Sequence, residues 1–103
     1  MKICLLYLTC KDDKQAEIIA NILLEKRLVF CAKRFPVSSS FLWKGEINSS
    51  KEVLLIMDSL EDNFQQIEKE VAKLHSYKTF VLLSSPVSQV PNKVLNWVKH
   101  EIR

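Results

Sequence analysis

Apolar and polar positions follow two rhythms along this chain. Ile3 to Leu8 is apolar at every position, which predicts a strand covered on both faces. From Ala16 the period becomes helical: Ala16, Ile19, Ala20, Leu23 and Leu24 share one stripe. Glu17, Glu25, Lys26 and Arg27 mark the wet side, with the cations at the C-terminal end, where the dipole favours them. Asp12 stands three residues before Gln15 and predicts a capping box, each side chain taking a backbone N–H at the helix start.

A long hairpin follows, from Leu28 to Asp58. Val29, Phe30 and Cys31 open its first arm, Phe41, Leu42 and Trp43 close it, and Glu52 to Met57 forms the return. Lys44-Gly45-Glu46 holds the one glycine and marks the turn, where a positive φ needs a residue without Cβ. Pro36 within the first arm predicts a bend, a bulge or an edge position, because proline donates nothing to a ladder. Asp58 and Ser59 end the second arm, and Ser59 with Asp62 reads as a helix start. Phe64, Ile67, Val71 and Leu74 then make a second apolar stripe. Thr79 to Leu83 reads as a fourth strand, closed by Ser84-Ser85-Pro86. Pro91 suits the first turn of a last helix that turns Val94, Leu95, Val98 and Ile102 inward.

The fold class is therefore α+β, a ferredoxin-like β-α-β-β-α-β sandwich with a long central β-hairpin and a C-terminal helix. Two helices cover one sheet face, yet three strands are apolar on both. The second face needs a cover that one short helix cannot supply, so the chain is expected to self-associate. At roughly 25 cal/mol per Å², a few hundred Å² of apolar sheet is worth several kcal/mol.

At 103 residues the chain is expected to be one domain, 1–103, with a true core. Apolar residues make up 48% and charged residues 26%, which fits a globular chain rather than a disordered one. No apolar run approaches the roughly 20 residues of a membrane span, so no membrane partner is expected. Lys2 followed by Ile3 to Leu8 is too short for a signal-peptide core, and the expected compartment is the cytoplasm. Cys4, Cys10 and Cys31 are odd in number and lack metal-finger spacing, so they read as free thiols. A net charge of +3 does not argue for nucleic acid.

Machinery for catalysis is hard to assemble. One glycine allows no phosphate loop, no serine has the small neighbours of a nucleophile elbow, and no carboxylate pair or His-containing triad emerges. No enzymatic activity and no organic cofactor are expected. His100, between Lys99 and Glu101, reads as solvated surface. His75 sits at a helix-to-strand junction beside Tyr77, as a polar helix C-cap or as a ligand or metal contact. Cys4 reads as a small core hydrophobe. Cys10 and Cys31 lie near Lys11 and Lys33, whose charges would favour thiolates, and soft thiolates suit Cu(I) or Zn. Trp43 and Trp97 read as packing residues.

Taken in order, several pieces resemble the CutA family of divalent-cation tolerance proteins. They are Thr9-Cys10-Lys11-Asp12-Asp13, Glu25 to Cys31, Pro36, Ser39-Ser40, Trp43 to Ile47, Glu52-Val53, His75-Ser76-Tyr77, Pro86-Val87 and Leu95 to Val98. The resemblance implies a tight homotrimer whose hairpins build inter-subunit sheet, and a role in tolerance to copper or other divalent cations. It carries over Cys31, His75 and Tyr77; with Cys10 from its own context, the metal candidates are Cys31, His75 and Cys10, and Tyr77, Trp43 and Lys78 are further ligand-contact candidates. The chain departs from the family pattern at Ser76 (usually proline), Lys78 (usually glutamate) and Phe80-Val81 (usually Pro-Glu). Losing carboxylates weakens a site for a hard cation but leaves a thiolate site intact. The chain is also one residue short between Pro36 and Trp43, which predicts a changed bulge near Val37 and Ser38.

Two other readings compete with metal binding. One is a trimeric scaffold or small-molecule-binding signalling protein in which metal is incidental. The other is an RNA-recognition module, which shares the strand order but needs exposed aromatics where Val53 to Met57 stands.

Overall fold

The computed structural model describes residues 1–102. The elements run β1 (Ile3–Cys10), α1 (Asp13–Glu25), β2 (Val29–Trp43), β3 (Glu46–Leu60), a 3-10 turn (Glu61–Asn63), α2 (Phe64–Leu74), β4 (Leu82–Pro86) and α3 (Asn92–Glu101). The sheet is antiparallel in the order β2-β3-β1-β4. This is the α+β ferredoxin-like arrangement that the element order predicts, with β1 in the interior of the sheet.

Both hairpin arms are 15 residues long. Their ladder runs unbroken from Cys31↔Asp58 to Trp43↔Glu46, whereas β1 pairs with β3 only from Val53 to Leu60. The segment from Val37 to Glu52 therefore projects beyond the rest of the sheet. The molecule measures 45 × 26 × 22 Å, and its radius of gyration of 14.3 Å exceeds the roughly 13 Å of a compact chain this size. At the tip Lys44 has φ 51 and Gly45 φ 80. Two consecutive positive φ angles are those of a two-residue turn that matches strand twist, and glycine takes the second without strain.

Packing follows the alternation of the strands. Cys4, Leu6, Leu8 and Cys10 on β1, with Val53, Leu55 and Met57 on β3, form one cluster with Ala16, Ile19, Ala20 and Leu23 of α1 and Ile67 and Val71 of α2. The other face is covered at one end only. There α3 seats the fully buried Val98 against Ile3 and Phe30, and Trp97 meets the Phe30 ring edge-on at 5.4 Å. Beyond α3, Leu5, Tyr7, Leu54 and Ile56 are only half-buried, and Phe35 and Leu83 are exposed. β1 is thus closed on its helix face and half-open on the other.

Several local expectations need correction. The fourth strand begins at Leu82, not Thr79, and Ser84, Ser85 and Pro86 pair within it rather than end it. Ser59 is no helix start: it is buried in β3, pairs with β1 and β2, and donates to the Leu28 carbonyl at 2.6 Å. The ladder is regular at Val37 and Ser38, as a bulge lost with the missing residue would leave it. An irregularity falls between Val29 and Cys31, where one extra residue turns Phe30 toward α3. Pro36 occupies an edge strand, as one of its predicted placements allows. The capping box forms with a small shift. Asp12 Oδ1 accepts the Gln15 N–H at 2.9 Å, while Gln15 Oε1 accepts from Lys11 rather than from Asp12.

Candidate functional site

Two separate groups of polar side chains stand out. The first surrounds Cys31 on the half-open face. The irregularity at Phe30 sets Cys31 opposite Asp58, and Lys33 follows two residues later on the same face. Lys33 Nζ lies 3.3 Å from Cys31 Sγ and 3.7 Å from Asp58 Oδ1. The hydrogen bond to Cys31 holds Lys33 above the ordinary lysine range against the opposing pull of desolvation, and Asp58 adds to the rise. That buried Asp58 oxygen has no hydrogen-bond partner among the described residues. Cys31 thus carries the neighbouring cation that its sequence context suggests.

The second group gathers where α2 passes into β4. His75 Nε2 lies 2.8 Å from the Thr9 carbonyl, and His75 Nδ1 accepts the Tyr77 N–H at 3.1 Å. The ring does not bond the last carbonyls of α2. It ties the helix end to β1, and Phe80 stacks on it at 5.5 Å. Both ring nitrogens are already engaged, so His75 offers no lone pair to a metal in this arrangement. The Tyr77 hydroxyl donates to Glu52 at 2.9 Å, and Glu52 is only 7% exposed. Burial, with the Glu52 carboxylate adding, pushes the Tyr77 phenol up to about 12.

Cys10 lies fully buried at the end of β1. Burial, reinforced by Asp12 and Glu52, pushes its thiol up to about 12. The expectation of a thiolate here is therefore corrected: the thiol faces the apolar core, whereas Lys11 is exposed. Cys10 and Cys31 do not approach each other. They pair with β3 at Val53 and Asp58, a separation of roughly 17 Å along the strand. Trp43 is farther still. It sits at the hairpin tip, seven residues beyond Pro36, the partner of Val53, or roughly 23 Å along the ribbon. Lys78 is exposed in the connection to β4. Among the described residues no three His, Cys, Asp or Glu side chains gather to hold a metal ion.

The raised groups carry a signed pH prediction. Cys10 rises from an ordinary 9.0 and Tyr77 from 10.0, each to about 12. Both are neutral in the folded protein, so the stability tied to them is fully present below the lower of those ordinary values. It is lost as pH climbs toward about 12. Urea midpoints at about pH 8 and about pH 11 are expected to differ, with the alkaline one lower. The Tyr77→Phe variant is expected to lose about 1 kcal/mol at the lower pH and to show a shallower alkaline decline.

A family model described as CutA1 divalent ion tolerance protein matches residues 4–101. The chain belongs to the CutA1 family. The CutA divalent-cation tolerance protein of Thermotoga maritima is 34% identical over 98 residues, 95% of this chain and 97% of that one. The CutA protein of Archaeoglobus fulgidus is 32% identical over 97 residues, 94% of this chain and 95% of that one. A solved structure of the Archaeoglobus fulgidus protein, described as a periplasmic divalent cation tolerance protein, has a TM-score of 0.95 at 31% identity. It covers 98% of this chain and 99% of that one. Among the described residues no helix is long and apolar enough to cross a membrane.

Within this CutA1 chain, residues missed in the sequence hold both groups together. Asp58 reads there as a strand end, yet it is the carboxylate facing Cys31 and Lys33. Its signal was present: Leu54, Ile56, Asp58 and Leu60 share one face, and one of the four is charged. Glu52 left less trace, because its partner Tyr77 lies 25 residues on. Ser76, where the family pattern has proline, accepts from Gln15 Nε2 at 2.9 Å. That bond fastens the α2–β4 connection to the start of α1.

Proposed function

We propose that this chain works as a homotrimeric, non-enzymatic divalent-cation tolerance protein that binds copper or another metal ion through Cys31, with residues 1–103 acting as one domain. The observation that carries the self-association is the half-open sheet face. Leu5, Tyr7, Leu54 and Ile56 lie half-buried there, and the hairpin projects beside them. A second copy laid on that face removes the apolar surface from water, worth roughly 25 cal/mol per Å².

Metal binding is the narrower part of the reading. Cys31 supports it as a half-buried sulfur donor with a lysine at 3.3 Å, a soft ligand of the kind that Cu(I) prefers. One thiol is a poor site on its own. The remaining donors come from a neighbouring copy, because Cys31 belongs to the face that a neighbour covers. Cys10 and His75, one protonated and the other fully hydrogen-bonded, take no part. Three free thiols support a reducing compartment such as the cytoplasm, and the periplasmic description of the Archaeoglobus relative marks the alternative. Cell fractionation separates the two.

A second reading, a trimeric scaffold or small-molecule-binding protein with incidental metal, draws on the scattered donors and on Lys78 in place of an acid. Native mass spectrometry of the freshly reduced protein, with and without Cu(I), tests both. The metal reading expects a trimer with stoichiometric copper, lost in Cys31→Ser. A bare trimer moves the function to the scaffold reading, and a monomer sinks the oligomer.

A further inference from the structure

Asp58 is a carboxylate in an apolar row, between Ile56 and Leu60 on one face of β3. Its Oδ1 is buried and receives no hydrogen bond among the described residues. The charge it meets is the Lys33 ammonium at 3.7 Å, too far for a hydrogen bond. The same ammonium lies 3.3 Å from Cys31 Sγ. Cys31 and Asp58 are direct partners across the ladder. Opposed side chains on one face leave their strands about 4.5 to 5.5 Å apart. A sulfur and a carboxylate oxygen thus converge on one cation from two strands, and that cation belongs to the chain itself.

We propose that Asp58 is a second metal donor beside Cys31, that Lys33 is the resident cation a metal displaces, and that the pair selects a zinc-like divalent ion over Cu(I). The inference rests on the reading of Cys31 as a metal ligand and adds a residue, a competitor and a metal class to it. Zinc accepts cysteine sulfur and aspartate oxygen alike. Cu(I) takes the sulfur but gains little from a carboxylate, and a hard ion such as Mg(II) does the reverse. A borderline ion uses both donors. On binding, the Cys31 thiol gives its proton to solvent. Sγ and Oδ1 each donate an electron pair to the metal, and Lys33 keeps its proton and swings into water. Lys33 leaves easily, because its side chain is 63% exposed and an exposed ion pair holds it weakly. Asp58, only 22% exposed, stays and needs a cation opposite it. Water and, in the assembled protein, a neighbouring copy complete the coordination.

The test is zinc binding by the freshly reduced full chain, with X-ray absorption at the zinc edge to count sulfur ligands. Asp58→Cys is expected to put one sulfur more on each zinc than the natural chain does. A carboxylate acting only through its charge, or only as a partner for Lys33, would give no such gain. Asp58→Asn should weaken zinc binding at least about tenfold and leave Cu(I) binding nearly unchanged. Lys33→Met should tighten zinc binding about two- to fivefold, because a largely exposed ammonium no longer competes. The inference is overturned if the natural chain takes up Cu(I) but no zinc, if zinc ignores Asp58→Asn, or if Asp58→Cys adds no sulfur. In those three cases, metal uptake that is lost in Cys31→Ser leaves the reading of Cys31 standing. Uptake of neither metal, or uptake that survives Cys31→Ser, overturns both.

Discussion

Leu54→Lys is expected to turn the proposed oligomer into a folded monomer. Leu54 lies on β3, on the half-open face, opposite Thr9 on one side and Phe35 on the other. It is half-buried in the isolated chain, so a lysine there can still carry its ammonium to water along its flexible stem. The fold itself then loses little. Covered by a second copy, the same ammonium is buried with no partner, and an effective cost of several kcal/mol falls on every copy of the interface. Sedimentation equilibrium should show the mass fall from a multiple of the 12.0 kDa chain to one chain, with an unchanged far-UV spectrum. If the natural protein already sediments as one chain, or if Leu54→Lys assembles normally, the covered-face reading fails.

The second large effect lies on the opposite side of the sheet. Leu23→Ala should cost about 3 to 5 kcal/mol, whereas Leu24→Ala next to it should cost under about 1 kcal/mol. Leu23 is fully buried among β1, β3 and α2, and Leu24 is 37% exposed. Removing the Leu23 side chain opens a cavity that the surrounding strands cannot collapse. At Leu24 water fills the space, and alanine's helix preference returns part of the loss. Urea unfolding of both variants checks this. Equal midpoints would mean that α1 sits on the sheet by a different stripe.

That pair also marks how far the sequence could be read. A 3.6-residue period places Leu23 and Leu24 on the same broad stripe, and only the contact with the sheet separates them. The hairpin was legible because its turn needs a positive φ and the chain has one glycine to give. The start of α1 was legible because Asp12 and Gln15 act within one turn. The opening of β4 was not. Thr79, Phe80 and Val81 have strand-like chemistry, but Phe80 is taken by the His75 ring and pairing starts at Leu82. The extra residue at Phe30 was equally hidden, since what pulls it out of the ladder is α3, packed from far along the chain. For the candidate site, Cys31 beside Lys33 follows from spacing of two on a strand. At Cys10 the adjacent lysine points to a thiolate, but the thiol turns into the core while Lys11 turns to water, a difference that sequence neighbourhood does not carry. The link from Tyr77 to Glu52 depends on how a loop folds back, which no local pattern encodes.

The place of β1 in the sheet governs how the chain can be made. β1 precedes the other three strands in the chain, yet its two neighbours are β3 and β4, and the latter ends at Pro86. At about 5 to 20 residues per second, its second edge waits roughly 4 to 16 seconds for a partner. Through that interval an apolar strand with open backbone donors and acceptors is available to any other nascent chain. The hairpin has no such delay, because its arms meet across Lys44 and Gly45 as soon as both have emerged. Folding that begins at this turn leaves the closing of β4 on β1 as the step that seals this aggregation-prone edge.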